Sequence, residues 1–256
     1  MFNHRTASIS AYIILASLII LNLFVDIGYV PYLVLFLVCG GIIFYGSAFV
    51  NSGFYFKMVC SAKTDEKIIA ITFDDGPTQV TPLILDVLKE YNVHAAFFTV
   101  GSRIENNEHI LKRINEEGHL IGNHSYFHNF WFSNYSAKRI HNELQETDAA
   151  IEKCTGRKVN LFRPPSGVTN PNIKKVVIKI NYIPVGWSVK SKDTVIESSD
   201  KISARIRSKV KPGDIILLHD TNVKIVQPLR ELLEYAVQSG YKVVRLDELL
   251  NVEPYK

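Results

Sequence analysis

Ile68-Ile69-Ala70-Ile71-Thr72-Phe73-Asp74-Asp75-Gly76-Pro77 is the stretch on which the reading of the fold turns. An apolar run, Ile68 to Phe73, ends abruptly in two adjacent carboxylates, and a Gly-Pro pair then prevents the strand from continuing. Adjacent acids repel each other and cost stability if buried. A chain that sets them at the end of a buried strand has a use for them: binding a metal, sharing a proton, or both. Asp, Gly and Pro are also ordinary turn residues, so a solvated turn is the alternative on this stretch alone.

Outward from this run, the chain from Lys67 alternates between short apolar segments and amphipathic ones. The apolar segments read as buried parallel strands: Ile68 to Phe73, Ala95 to Val100, His119 to Gly122, Leu161 to Arg163, Ile183 to Val185, Ile215 to Leu218 and Val243 to Leu246. Between most of them lie helical patterns: 82–91, 108–117 before Gly118, 136–155 before Gly156, 172–180, 200–210, and 226–239 before Gly240. Such alternation means β/α units and a parallel sheet. About seven strands in roughly 190 residues fall short of the eight-unit barrel's usual ~250. The expected fold is therefore α/β, a distorted or incomplete (β/α) barrel. An open doubly wound sheet is the alternative, but its G-x-G-x-x-G phosphate turn is missing.

The first sixty residues differ in kind. Their only Asp, Glu, Lys or Arg side chains are Arg5, Asp26 and Lys57. Two apolar runs, 9–25 and 31–50, flank Asp26-Ile27-Gly28. As helices they measure ~25 and ~30 Å, close to the ~30 Å hydrocarbon core of a bilayer. The expectation is a transmembrane helical hairpin, with Tyr29, Tyr32, Tyr45 and Tyr55 available to the interfaces. A signal peptide followed by one span ranks lower, because no small-x-small site follows Val25. A buried soluble hairpin would need a large apolar partner. The expected division is 1–60 as membrane anchor with the start of a linker (51–66), and 61–256 as the α/β domain.

Net charge is only +4, with no basic stripe of the kind that nucleic-acid binders carry, so that class is excluded. Cys39, Cys60 and Cys154 are odd in number and widely spaced, which gives neither a disulfide framework nor a C-x-x-C metal pair.

The polar residues that follow each strand point to one face. Asp74 and Asp75 follow the first strand, and Asn123, His124 and His128 the third. Arg163-Pro164-Pro165-Ser166-Gly167 closes the fourth, Trp187-Ser188-Val189 follows the fifth, and His219-Asp220 the sixth. In a β/α barrel these loops open together at the catalytic end. His124 and His128 stand four apart, a spacing that on one helical turn directs two imidazoles to a single ion. With a carboxylate they suggest a 2-His-1-carboxylate site. Arg163 could hold the non-ligating Asp ionised. His219 could be a third ligand or a general acid.

Thr72-Phe73-Asp74-Asp75-Gly76-Pro77, His124-Ser125-x-x-His128, Arg163-Pro164-Pro165-x-Gly167, Trp187-Ser188-Val189 and Leu217-x-His219, in that order, resemble the signature blocks of the polysaccharide deacetylases with a NodB-type domain, carbohydrate esterase family 4. The resemblance covers about residues 66 to 250. It implies that Asp75, His124 and His128 bind a divalent metal, usually zinc, and that Asp74 is the general base for a metal-bound water. It implies that Arg163 positions Asp74, that His219 is the general acid, and that the backbone N–H of Ser166 joins the metal in stabilising the oxyanion. Asp193 is the partner expected for His219. Three positions depart from the family pattern. Ser166 stands where an aromatic is common, and Lys190 and Thr194 lie where two acids and a Trp are usual. The implied activity is removal of N-acetyl groups from an N-acetylglucosamine-containing glycan, such as peptidoglycan or a chitooligosaccharide. O-acetyl esterase action on a xylan-like glycan and a catalytically silent, membrane-tethered glycan-binding module are the alternatives. The implied partners are an acetylated glycan and, through the hairpin, membrane lipid. The expected location is a bacterial cytoplasmic membrane. A cell-wall substrate places the domain outside, whereas the sparse flanking charges (Arg5, Lys57, Lys63) place both ends inside.

Overall fold

The computed structural model describes residues 3–256. Two antiparallel helices come first, α1 (His4–Asn22) and α2 (Val30–Ala48). At 19 residues each they are ~29 Å long. Asn3 caps α1 through a hydrogen bond from the Thr6 N–H, and Pro31 opens α2, where its missing N–H costs nothing. Gly46 is the only buried residue of the two, and their Leu, Ile, Val and Phe side chains lie largely uncovered.

The rest forms the α/β unit: β1 (Ile68–Asp74), α3 (Thr81–Glu90), β2 (Ala96–Thr99), α4 (Gly101–Ile104), α5 (Glu108–Glu116), β3 (Leu120–Asn123), α6 (Ala137–Thr155), β4 (Leu161–Phe162), α7 (Pro171–Ile180), β5 (Ile183–Pro184), β6 (Val189–Lys190), α8 (Ser199–Arg207), β7 (Ile215–His219), α9 (Val226–Gln238), β8 (Lys242–Val243) and α10 (Leu246–Leu250). Ser136, Asn170 and Ser198 cap α6, α7 and α8 with side-chain oxygens, and Gly156 and Asn181 end α6 and α7 in the left-handed region.

All named strand pairs are parallel, in the order β5-β4-β3-β2-β1-β7-β6, with β8 beside the start of β1. The path runs from β5 to β6 without closing, so the sheet is the incomplete (β/α) barrel that the alternation predicts. Two strands differ from the sequence reading. Val189–Lys190 forms β6, too short for periodicity to reveal, and the last apolar run divides into β8 and the start of α10.

Strand β1 sits at the centre with six of its seven residues buried. Ile69, Ile71 and Phe73 face the helices. Ala70 joins the inner cluster with Ala96, Phe98, Leu161 and Ile215, and α10 adds Leu246 and Leu249 to it. Thr72 and Asp74 share the parity of Ala70, so the inner face becomes polar towards the strand's C-terminal end. Ala95 N–H donates to His119 Nδ1 at 3.1 Å, tying the entries of β2 and β3, and burial pushes the His119 imidazole down to about 3.

Residues 51–66 are more than a tether. Phe54, Tyr55 and Met58 are buried. Val59 covers the exposed edge of β5, donating its N–H to Pro184 O at 2.9 Å and accepting from Gly186 N–H at 2.8 Å. Ala62 N–H then donates to Gly213 O at 2.8 Å, beside the Ser61–Asp214 bridge. The segment lies over the break in the barrel and satisfies an edge that would otherwise be open.

Candidate active site

Strand register creates the centre of the site. Asp74 pairs with His219 across β1 and β7, so the last residues of both strands stand side by side. Asp74 is 3% exposed and Arg163 is fully buried. Arg163 Nη1 donates to Asp74 Oδ1 at 2.7 Å and to Thr72 Oγ1 at 2.9 Å, while Nε and Nη2 donate to the carbonyls of Val185 and Gly186 at 3.2 and 2.7 Å. Its guanidinium lies 4.0 Å from the Phe98 ring centre. Every edge of the cation is thus occupied, as a buried charge requires. The pair leaves Asp74 Oδ2 turned away from the arginine.

Asp75 has φ 81°. This left-handed turn directs its carboxylate away from the line of the strand. Asp75 Oδ1 is buried with no hydrogen-bond partner, 3.6 Å from His124 Nε2 and 3.3 Å from His128 Nε2. His124 Nδ1 lies 2.7 Å from Arg163 O. A carbonyl only accepts, so Nδ1 carries the proton and Nε2 presents its lone pair. Burial lowers the His124 pKa against the pull of Asp74 and Asp75, keeping the ring neutral. Burial alone would raise the Asp75 carboxyl, but the neighbouring His124, His128, His219 and Arg103 outweigh it and hold it below the ordinary value.

The ligand atoms of Asp75, His124 and His128 all lie within 4.8 Å of one another. An orphaned buried carboxylate oxygen facing two imidazole nitrogens fits a divalent cation. The histidines do not meet on a helical turn, as their i, i+4 spacing suggested. Residues 124–128 form an irregular loop with Ser125 at φ 66° and His128 at φ 49°. Two left-handed residues fold the loop back, and the ring centres come to 4.9 Å.

His219 closes the other side. Its Nδ1 is 2.7 Å from Asp193 Oδ1, and its backbone N–H donates to Asp193 Oδ2 at 2.7 Å. Ser191 Oγ donates to the same carboxylate at 2.8 Å. Burial would lower the His219 pKa, but the hydrogen bond and charge of Asp193, with Asp74 and Asp75 behind, raise it above the usual imidazole value. The ring lines a cleft of about 240 Å³ with Thr194, Asn222 and Lys224. Lys190 reaches over Trp187, 5.2 Å from the ring centre.

Ser166 sits exposed on the short turn after β4 at φ 57°, followed by Gly167 at φ 70°. The Gly167 and Val168 N–H groups close the turn onto Pro164 O and Pro165 O at 3.0 and 3.3 Å. A side chain on Gly167 would strike the Trp187 ring.

All seven residues singled out from the sequence, Asp74, Asp75, His124, His128, Arg163, Asp193 and His219, converge here. Three others have no role assigned from the sequence. Thr72 holds Arg163 from within β1 and donates to Ile216 O at 2.9 Å. Arg103, from α4, donates to the Asp75 carbonyl. Asp220 is buried behind Gly76, accepts from Thr81 Oγ1 at 2.5 Å, and is pushed by burial up to about 7. Asp220 is visible as the residue after His219 and Thr72 as the first residue of the signature block, whereas Arg103 carries no sequence signal.

The family model described as "Polysaccharide deacetylase" matches residues 61–185. A peptidoglycan-N-acetylglucosamine deacetylase of Bacillus cereus is 36% identical over 192 residues, covering 73% of this chain and 89% of that one. This chain belongs to the polysaccharide deacetylase family. A second member, the peptidoglycan-N-acetylmuramic acid deacetylase PdaA of Bacillus subtilis, is 34% identical over 192 residues, covering 73% of each chain. The crystal structure of a peptidoglycan N-acetylglucosamine deacetylase superposes with a TM-score of 0.74 at 31% identity, over 78% of this chain and 95% of that one. As a polysaccharide deacetylase, the chain is a hydrolase.

Proposed function

We propose that this deacetylase removes N-acetyl groups from an N-acetylated cell-wall glycan, with peptidoglycan as the first candidate, while held in the membrane by its N-terminal hairpin. The observation that carries the reading is the partnerless, buried Asp75 Oδ1 facing His124 and His128, next to an Asp74 gripped by Arg163. A divalent ion on Asp75, His124 and His128 would supply Lewis acidity towards water and an acetyl carbonyl, and two imidazoles with one carboxylate suit zinc.

The chain's own residues divide the remaining work. Asp74 Oδ2 takes the proton of the attacking water, and Arg163 on Oδ1 keeps the carboxylate ionised and fixed. The Ser166 N–H donates to the oxyanion that develops on the carbonyl. His219, oriented through Nδ1 by Asp193, gives a proton from Nε2 to the departing amine. A silent glycan-binding module would have no use for a buried Asp193–His219 pair with a raised imidazole.

The hairpin is read as the anchor and residues 61–256 as the catalytic unit, completed by the packed segment before them. The substrate puts that unit outside the cytoplasm. The B. cereus and B. subtilis relatives carry the names of glucosamine and muramic acid deacetylases respectively, so both sugars of peptidoglycan are candidates. Acetate release by the detergent-solubilised full chain, from chitooligosaccharide and from peptidoglycan, tests the reading. Release that stops with chelator and returns with zinc is expected. A folded chain that releases no acetate from either glycan, whatever metal is added, would refute it.

A further inference from the structure

Hydrogen bonds link the barrel mouth to the end of the hairpin. Thr169, two residues past Gly167, donates its N–H to Ser47 O at 3.1 Å and its Oγ1 to Gly46 O at 3.2 Å. Asn170 and Asn172 donate to Ser133 O and Tyr135 O at 2.5 and 3.0 Å. The last turn of α2 therefore abuts the loop after β4, which abuts the loop between β3 and α6.

That second loop carries side chains for which the chemistry has no use. Phe130 is 84% exposed and Trp131 59%, their ring centres 5.0 Å apart. No Asp, Glu, Lys or Arg occurs from Phe127 to Tyr135. Close by, the end of α2 presents Tyr45 and Phe49, stacked at 4.8 Å and both exposed. Aromatic rings gathered where a spanning helix leaves the bilayer match the belt at a membrane–water boundary. Phe130, the most exposed, has no polar handle for a sugar hydroxyl, and Asn129 turns its side-chain oxygen to the Trp131 backbone N–H at 2.8 Å. Both points favour lipid over carbohydrate.

We propose that the Phe130–Trp131 tip is an interfacial contact, seated in the headgroup region of the bilayer that holds the hairpin. This rests on the anchor reading above. It holds the barrel mouth against the lipid surface, so the glycan within reach is one lying close to the membrane.

The chain has two tryptophans, so Trp187→Phe leaves Trp131 as the sole reporter. The full-length variant would be reconstituted in phosphatidylethanolamine–phosphatidylglycerol vesicles with acyl chains brominated near the headgroup. Blue-shifted Trp131 emission, quenched by bromolipid and unchanged by added chitooligosaccharide, is expected. A chain that alkaline carbonate strips from the vesicles would overturn the anchor reading and this proposal with it. A chain retained in the bilayer with water-like, unquenched Trp131 would overturn the proposal alone, and so would emission that answers to chitooligosaccharide but not to bromolipid. If Trp187→Phe does not fold, Trp131→Phe in the natural chain serves instead: the bromolipid-quenched part of the emission must vanish, and its persistence counts against the tip.

Discussion

Asp74 and Asp75 are neighbours in sequence whose surroundings divide them. Asp74 stays in the strand, where register sets it beside His219 and burial sets it against Arg163. Asp75 turns out of the strand towards two imidazoles. Asp74→Asn should therefore lower kcat by about 10²–10⁴-fold while the variant still binds zinc, measured by isothermal titration; loss of the metal instead would reverse the two roles. Because Arg163 would lose its only carboxylate, the same variant should be about 3–5 kcal/mol less stable, read from its urea midpoint. His219 offers a pH test. Its pKa is raised, chiefly by Asp193 acting against burial, and a general acid works only while protonated. Activity should fall as pH rises through the His219 pKa. Asp193→Asn removes the charge that holds the proton, so the alkaline limb of kcat/KM should move to lower pH. An unmoved limb would detach Asp193 from the acid.

At the scale of elements, the sequence was readable wherever an element was long or periodic. The two apolar helices, the buried β1, and the amphipathic α6 and α9 are all legible in local pattern. Two-residue β6 is not, because periodicity needs more than one repeat. The His124–His128 loop misled for a related reason: i, i+4 spacing fits a helix, and only φ angles show that Ser125 and His128 bend the chain instead. The segment 51–66 reads as a linker by composition, yet Val59 bridges the edge of β5 through two backbone hydrogen bonds. A soluble fragment starting at Asp65 should consequently be less stable than one starting at Asn51. Losing buried Met58 with the Val59 pairing corresponds to about 2–4 kcal/mol, measurable as a lower urea midpoint. Equal midpoints would return the segment to the status of a tether.

For the whole molecule, the hairpin sets both chain ends on one side of any bilayer it crosses, with the tip at Asp26 on the other. The flanking Arg5, Lys57 and Lys63 favour the cytoplasm for those ends, and a peptidoglycan substrate requires the opposite. So few charges bias topology weakly, and the proposed peptidoglycan substrate argues for the outside. An alkaline phosphatase fused after Lys256 should be active in intact cells. A silent phosphatase, with a cytoplasmic reporter active in its place, would redirect the search to lipid-linked or nucleotide-linked amino sugars.

By itself the sequence determined the class of fold, the anchor-like helices and the seven polar residues of the site. Alternation, apolar length and the residues that end strands are local properties, written in consecutive positions. The family resemblance already implied that Arg163 positions Asp74; tertiary structure alone decided that His124 offers Nε2, that Thr72 and Arg103 support the pair, and that segment 51–66 covers the open edge of the sheet. Each depends on strand register, or on contacts between segments tens to more than a hundred residues apart. Spacing along the chain carries no record of such contacts.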